Sequence, residues 1–365
     1  MIGYIGIAVV VILGLNMMAV LRLLRLHPKR KPWIVAGVVI GNLMWLFFPI
    51  LNAQTDFSRF IRATLGPPWF AWLAFTFFHM LFTLFGLVLR LPDRAASRVF
   101  LVAIAIGSIV GCWQALVPLR IERVDVAIAN LPPELEGKKL AVLGDLHVGL
   151  YTRPSRLTRI FATVTALQPD IAMIAGDLLD DDPHFAPKLL AGTRVLDPRI
   201  PLVAVLGNHE IYGGPAATIA KLRGSRIRLL VNEGAPFGKL WIAGLSDFAA
   251  HTPQLAPNFD AALRGMPAGS LPVVLSHQPK AFDGARSRQL PLTICAHTHG
   301  GQFGFRPLHW TLAGLFLPFD MGLYRRGASQ LYVNTGTGYW LLPFRLGMTP
   351  EITLITLRGT SNRVP

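Results

Sequence analysis

The chain has 365 residues, a formal net charge of +15 and a mean hydropathy of +0.46. Only 15% of its residues are charged. Together with the high mean hydropathy, this makes the chain too apolar for an ordinary soluble protein and indicates that its apolar residues are concentrated in one region. The length allows two or three domains. The basic residues of the N-terminal third flank its apolar stretches, and the others are dispersed with no Lys/Arg run, so we expect no nucleic-acid partner.

Four apolar stretches lie in the first third of the chain: Ile2–Leu21, Trp33–Leu51, Trp69–Leu89 and Val99–Val117. Because a bilayer core needs about 20 apolar residues in a helix, each stretch predicts a transmembrane helix. The first is predicted to be retained, since its arginines follow the apolar run, unlike those of a signal peptide. We therefore predict a four-helix transmembrane region over residues 1–118 and a second domain over residues 119–365.

Basic residues in the short connections predict the orientation of these helices. The first and third connections hold more Lys and Arg than the N-terminus and the second connection, so they are predicted to be cytoplasmic. The chain is then a multi-pass inner or plasma membrane protein with its second domain on the extracytoplasmic side. A lipid bilayer is the expected partner, and the remaining basic residues suit anionic headgroups.

From about residue 119, short apolar runs alternate with Gly, Pro and Asp. The predicted strands are Lys139–Leu143, Ile171–Ala175, Leu202–Leu206, Leu240–Ala243, Val273–Ser276, Leu292–Ala296, Leu331–Asn334 and Glu351–Thr356. Helices are predicted at Pro154–Leu167 and Pro215–Arg223. This order of elements predicts an α/β domain with two packed mixed β-sheets flanked by helices.

Side chains that can bind metals follow five of these apolar runs. The five clusters are Gly144-Asp145-Leu146-His147, Gly176-Asp177-Leu178-Leu179-Asp180, Gly207-Asn208-His209-Glu210, Ser276-His277 and Ala296-His297-Thr298-His299. Taken singly, each cluster is typical of a turn or a surface histidine. Five in order at strand ends predict one site at a sheet edge. Carboxylate, amide and imidazole ligands without thiolate suit two divalent ions such as Mn, Fe or Zn.

The order D-x-H, G-D-x-x-D, G-N-H-E, H and G-H-x-H resembles the calcineurin-like metallophosphoesterase superfamily, over about residues 138–357. That resemblance implies a four-layer fold. Ala296 stands where the last motif usually has Gly. The later motifs His299-Gly300-Gly301-Gln302, Asn334-Thr335-Gly336 and Pro350-Glu351-Ile352 are similar to the bacterial YkuE-type branch of exported or membrane-associated phosphodiesterases.

The resemblance also implies a role for nine residues. The implied metal ligands are Asp145, His147 and His299 for the first ion, Asn208, His277 and His297 for the second, and Asp177 as a bridge. His209 is expected to stabilise the transition state and protonate the leaving alkoxide. Asp180 is expected to orient its imidazole.

These residues predict hydrolysis of phosphodiester or pyrophosphate bonds by in-line attack of a hydroxide that bridges two metals. Asp181 and Leu206 stand where the phosphoprotein phosphatases of the superfamily carry Arg, so a phosphoserine or phosphothreonine phosphatase is not expected. An apolar segment edged by Arg, residues 303–330, follows the last ligands. It predicts either an additional core segment or a lid or membrane wedge, and the latter suits a lipid-linked or membrane-proximal phosphoester substrate.

Two alternatives remain open at this point. One is a membrane sensor or transporter with a regulatory metal-binding domain. It would require acids or bases within the apolar helices, and none is apparent. The other is a catalytically inactive binding module, for which ligands would have been lost.

Overall fold

The computed structural model describes residues 28–43, 55–66 and 93–360, with five single positions between 17 and 25. The chain forms two compact units, Met1–Val110 and Gly111–Pro365. Helix α1 spans Lys31–Leu43, residues 56–66 are also helical, and helix α2 spans Asp93–Leu116. The second unit thus begins within the last two turns of α2, and the predicted boundary at residues 118–119 stays a prediction.

Within the described residues, no helix combines the length and the apolar character needed to cross a membrane. This finding contradicts the predicted four transmembrane helices. It also contradicts the predicted multi-pass membrane location, and with it the predicted orientation. Helix α1 has 13 residues and is about 20 Å long, short of the about 30 Å of a bilayer core. The last turn of α2 belongs to the second unit, where Ala115 is buried. The predicted spans Ile2–Leu21, for the most part, and Trp69–Leu89 lie outside the described residues.

The first sheet of the second unit is mixed. Its strands are β1 (Arg120–Ile128), β2 (Lys139–Leu143), β3 (Ile171–Ile174), β4 (Leu202–Val205), β5 (Ile227–Leu230) and β14 (Glu351–Gly359). Their order is β1-β14-β2-β3-β4-β5. Strand β14 is antiparallel to β2, and the other neighbours are parallel. The carboxyl ends of β2, β3 and β4 therefore lie side by side.

The second sheet is also mixed. Its strands are β6 (Glu233–Phe237), β7 (Leu240–Gly244), β8 (Leu271–Leu275), β9 (Leu292–Cys295), β12 (Gly322–Arg326) and β13 (Ser329–Val333), in the order β12-β13-β9-β8-β7-β6. Both outer pairs are antiparallel, and the pairs between them are parallel. A two-residue hairpin of β10 (Gly304–Phe305) and β11 (Trp310–Thr311) follows β9.

Helices cover the outer faces of both sheets. They are α3 (Pro154–Leu167), α4 (Ala186–Thr193), α5 (Asn208–Gly213), α6 (Pro215–Leu222), α7 (Phe259–Leu263) and α8 (Ala281–Ser287). Leu157 and Phe161, four residues apart on α3, are buried against the first sheet, as an amphipathic helix requires. Phe259 and Ala285 pack on the second sheet.

The two sheets pack face to face, and residues of both form one core that includes Val142, Met173, Ile242 and Ile294. The prediction of two mixed sheets flanked by helices is confirmed. The eight predicted strands are present, with ends that differ by up to three residues. The strands that were not predicted in these sheets are β1, β5, β6 and β12. All four are edge strands, which carry polar and charged side chains and lack a continuous apolar run.

Candidate metal centre

The predicted ligands lie in the loops that follow five parallel strands. Asp145 and His147 follow β2, and Asp177 follows β3. The other ligands, Asn208, His277, His297 and His299, follow β4, β8 and β9. Two hydrogen bonds join the loops of the two sheets at this edge. His297 N donates to Asp145 Oδ1 at 3.0 Å, and His277 Nδ1 lies 2.9 Å from the carbonyl oxygen of Ala175. The seven predicted ligands therefore meet at one place.

One group of side chains contains Asp145, His147, Asp177 and His299. They are buried, and one ligand atom from each lies within 4.8 Å of the others. The Nε2 atoms of His147 and His299 are 3.0 Å apart, and His147 Nε2 is 3.5 Å from Asp177 Oδ2. Apart from the bridging Asp177, this is the set that the resemblance assigned to the first ion.

A second group surrounds the imidazole of His277, which is fully buried. His277 Nε2 lies 3.1 Å from Asp177 Oδ2, 3.0 Å from Asn208 Oδ1 and 3.1 Å from His297 Nδ1. The same oxygen of Asp177 thus faces His147 in the first group and His277 in the second. Its place between the two groups is the one expected of a bridging ligand.

The backbone at this site is unusual. Asp145, His147, Asp177, His297 and His299 all have positive φ, between 42° and 74°. For residues other than glycine this region is sparsely populated and costs about 1–3 kcal/mol per residue. Such residues concentrate at functional sites, where the surrounding structure holds them in place. These five ligands lie beyond the strand ends, where the backbone is in the left-handed conformation.

Burial and mutual contact shift the pKa values of these groups. Burial alone lowers the pKa of His277, but the adjacent Asp177 outweighs it and raises the pKa to about 10. The pKa of Asp145 is raised to about 6 by burial. Burial and the positive charge of His277 lower the pKa of His297 to about 3. Burial and His147 likewise keep the pKa of His299 well below its ordinary value. His297 and His299 are therefore neutral, and each has one unprotonated ring nitrogen.

The donor set fits divalent cations. Asp145 Oδ2 is buried and has no hydrogen-bond partner among the described residues. Orphaned buried carboxylate oxygens are costly unless a cation or a hydrogen-bond donor compensates them. Two buried aspartates, four histidines and an amide oxygen supply the mixed oxygen and nitrogen ligands that Mn, Fe and Zn accept. The cluster can therefore bind divalent metal.

His209 lies beside this cluster on the first turn of α5. Its backbone N–H donates to Asp177 Oδ1 at 3.0 Å, and its ring centroid is 4.6 Å from that of His147. His209 Nδ1 lies 2.8 Å from Asp181 Oδ1. Asp180 instead lies 3.6 Å from His147 Nδ1. In this structure the carboxylate that contacts His209 thus belongs to Asp181, and the orienting role of Asp180 stays a prediction.

Two further residues, to which the sequence analysis assigned no role, hold the site together. The buried carboxylate of Glu210 accepts from Gly207 N at 2.7 Å and from Leu179 N at 2.8 Å, which ties the start of α5 to the loop after β3. Burial, followed by the charge of Asp177, raises the pKa of Glu210 to about 7. Glu210 closes the G-N-H-E motif, so this motif was the available signal.

Arg345 is the second of these residues. Its guanidinium is fully buried, donates to Thr335 O at 2.8 Å and lies 3.0 Å from His299 Nδ1. It stands in an irregular stretch without a recognisable motif, so nothing local in the sequence marked it.

Comparison with known proteins agrees with this geometry. A family model described as Calcineurin-like phosphoesterase matches residues 138–301. A Danio rerio protein named transmembrane protein with metallophosphoesterase domain is 30% identical over 353 residues, which cover 87% of this chain and 80% of that protein. The chain belongs to the calcineurin-like phosphoesterase family.

Bacterial relatives include a metallophosphoesterase of Campylobacter jejuni, 31% identical over 80% of this chain and 78% of that protein. The metallophosphoesterase YkuE of Bacillus subtilis is 25% identical over 71% of this chain and 93% of that protein. The predicted resemblance to this superfamily and to its YkuE-type members is confirmed. The chain is therefore a metal-dependent phosphoesterase, a hydrolase with a buried His/Asp metal-binding cluster.

Proposed function

We propose that the chain binds two divalent ions, Mn, Fe or Zn, and hydrolyses phosphodiester or pyrophosphate bonds. The observation that carries this proposal is the position of Asp177 Oδ2, 3.5 Å from His147 Nε2 and 3.1 Å from His277 Nε2. One carboxylate oxygen is shared by two groups of ligands, as two adjacent ions require. Such a pair, when bound, lowers the pKa of a water molecule and neutralises phosphoryl oxygens.

His209 supplies the proton for the leaving group. Burial alone lowers its pKa, but Asp181 and Asp177 outweigh that effect and raise it to about 9. His209 is therefore protonated at neutral pH. Its side chain sits at the edge of the ligand cluster, and Asp181 at Nδ1 leaves Nε2 to face the departing oxygen. General acid catalysis of this kind contributes about 10²–10⁴-fold to the rate.

Charge at the site favours a diester over a monoester. The side chain of Asp181 is 46% exposed beside His209, at a position where phosphoprotein phosphatases carry Arg. A carboxylate there repels the second negative charge of a phosphomonoester, whereas a guanidinium would pair with it. A phosphodiester carries a single negative charge, so the carboxylate of Asp181 repels it less. Of the two kinds of ester, the diester is thus the better fit.

The test is a substrate panel with the purified full chain and Mn²⁺. The panel contains the alkyl diester glycerophosphoglycerol, bis-p-nitrophenyl phosphate and the monoester p-nitrophenyl phosphate. We expect both diesters to be hydrolysed faster than the monoester. His209→Ala should lower kcat on the alkyl diester by about 10²–10⁴-fold with metal content unchanged. Asp177→Asn should lose both activity and bound metal.

His251→Ala is the matched control, because His251 is an exposed histidine of the same unit. It should behave as the wild type. Equal hydrolysis by the wild type, His209→Ala and Asp177→Asn would refute the proposal. Metal binding without hydrolysis of any member of the panel would favour a regulatory metal-binding domain instead.

A further inference from the structure

A row of exposed apolar side chains lies on the segment that follows the last predicted ligands. We call these side chains the apolar rim: Phe305, Leu308, Trp310, Leu312, Leu315, Phe316 and Leu317. Phe316 is 79% exposed and Leu308 is 75% exposed. Soluble proteins rarely keep so many large apolar side chains together at the surface unless they bind something there.

The segment that carries the apolar rim is held in one conformation. The hydroxyl of Thr311 donates to Asp320 Oδ2, and Gly314 N donates to the Thr311 oxygen at 2.9 Å. Leu312 N donates to Phe303 O at 2.8 Å. Thr311 and Ala313 point inward and are buried, while their neighbours point outward. The outward direction of the apolar side chains is therefore a property of the fold.

The apolar rim lies next to the metal centre. His299 begins the tight turn His299–Gln302, which leads directly into the segment. The side chain of Gln302 then bonds Trp340, accepting from its backbone N at 2.9 Å and donating to its backbone O at 3.2 Å. The Trp340 ring is 6.1 Å from that of His209 and is 42% exposed. Trp340 thus connects the turn that precedes the apolar rim with the proton donor.

The exposed charges around the apolar rim are basic. They are His309, within the segment, and Arg325 and Arg326 on β12. Arg306 is instead paired with Glu351, and the depression that His309 shares with the first residues of β12 also holds Glu122. Trp, Phe and Leu side chains edged by Arg are typical of segments that lie in the interfacial layer of a membrane. Basic edges suit anionic headgroups.

We infer that the apolar rim docks on the surface of an anionic phospholipid bilayer and presents the metal centre to lipid-linked phosphoesters. This inference rests on the proposed phosphodiesterase function and names its substrate class. The apolar side chains enter the layer between headgroups and acyl chains, and the exposed Arg325 and Arg326 stay at headgroup depth. His209 then faces a phosphate at headgroup depth.

Hydrogen exchange shows which residues contact the bilayer. A lipid substrate and its soluble headgroup, compared side by side, show whether that contact increases the rate of hydrolysis. The full chain is incubated alone, with phosphatidylcholine vesicles, and with vesicles that also contain phosphatidylglycerol. Exchange is followed in peptides that cover residues 303–319. Hydrolysis is compared for phosphatidylglycerol in the vesicles and for glycerophosphoglycerol, its soluble headgroup. The variants are Leu308→Gln with Phe316→Gln, and the control is Val195→Gln, an exposed apolar side chain outside the apolar rim.

We expect anionic vesicles to slow exchange in residues 303–319 of the wild type and of Val195→Gln. The double variant should lose this protection and hydrolyse phosphatidylglycerol at least about tenfold more slowly, while its rate on glycerophosphoglycerol is unchanged. Unchanged exchange on adding vesicles would overturn the inference. So would protection that needs no lipid and rises with protein concentration, since a second copy of the chain would then cover the apolar rim.

Equal protection on neutral and anionic vesicles would overturn the part played by charge. If the wild type hydrolyses neither substrate and no member of the earlier panel, the proposed function fails. The hydrogen-exchange data then still decide whether the apolar rim binds lipid, because they need no turnover.

Discussion

Asp181 Oδ1 lies 2.8 Å from His209 Nδ1, whereas its neighbour Asp180 lies against His147. Two adjacent carboxylates on one loop therefore face two different imidazoles. The one that contacts the predicted proton donor stands where related phosphatases carry Arg. Because of this pairing, substitution of Asp181 and substitution of Asp180 should change different properties of the enzyme.

Asp181→Asn should lower kcat on alkyl diesters by about 10–100-fold, because residues that orient a functional imidazole usually contribute that much. Bound metal should stay at the wild-type level. Asp180→Asn should affect bound metal more than kcat, since its partner His147 is a predicted ligand. Kinetics and metal analysis of both variants check this. The reverse pattern would assign the orienting role to Asp180.

The rate should fall at alkaline pH. The pKa of His209 is raised to about 9, so the imidazole carries its proton below that pH and loses it as pH rises through about 9. A proton donor works only when protonated, so kcat on an alkyl diester should fall above about pH 9. Asp181→Asn removes a cause of the raised pKa and should move this fall to lower pH. The control is bis-p-nitrophenyl phosphate, whose leaving group needs no proton and whose profile should change less.

Metal should stabilise the folded chain. A ligand that binds only the folded state at about 100 times its Kd adds about 2.7 kcal/mol, or about 5–10 °C in Tm for a unit of this size. Mn²⁺ added to metal-free protein should raise Tm by that amount in a thermal scan. Asp177→Asn should abolish the rise, because Asp177 belongs to both groups of ligands. A wild-type Tm that does not change when Mn²⁺ is added would contradict metal binding at this cluster.

Gly207→Ala should disrupt the site. A methyl group at Gly207 would overlap the backbone nitrogen and the carboxylate of Asp177, so Asp177 would have to move. We expect lost metal binding and a loss of about 1–3 kcal/mol in the free energy of unfolding. Denaturant titration and metal analysis measure both. Gly359→Ala is the control, since only the flexible carboxylate of Glu136 lies close, at 3.3 Å.

Arg345 is expected to position His299. Replacing it with Met removes the contact that fixes the ring plane of His299 and leaves Thr335 O without its partner. Metal affinity should fall by about 10–100-fold, and the orphaned carbonyl should cost about 1–3 kcal/mol of stability. Arg345→Lys keeps a donor and should recover part of the affinity. If Arg345→Met loses stability while its metal affinity is unchanged, the arginine is structural only.

Local sequence patterns predicted the elements of the fold that are buried or pack one face on the core. Strand β2 and helix α3 were predicted with their observed ends, because a buried strand is a continuous apolar run and an amphipathic helix repeats every three to four residues. The edge strands β1, β5, β6 and β12 were missed, because half-exposed strands tolerate charge. The transmembrane prediction was wrong since it counted apolar residues alone, and the last turn of α2 belongs to the globular unit.

The sequence by itself determined that the predicted ligands would meet, because they follow buried strands and parallel strands end at one edge of a sheet. Only the tertiary structure decided how they work together. The sharing of Asp177 between two groups, the pairing of Asp181 with His209, and the contact of Arg345 with His299 all join residues far apart in the chain or choose between adjacent ones. Such choices depend on left-handed loop conformations and on distances across two sheets, which no local pattern encodes.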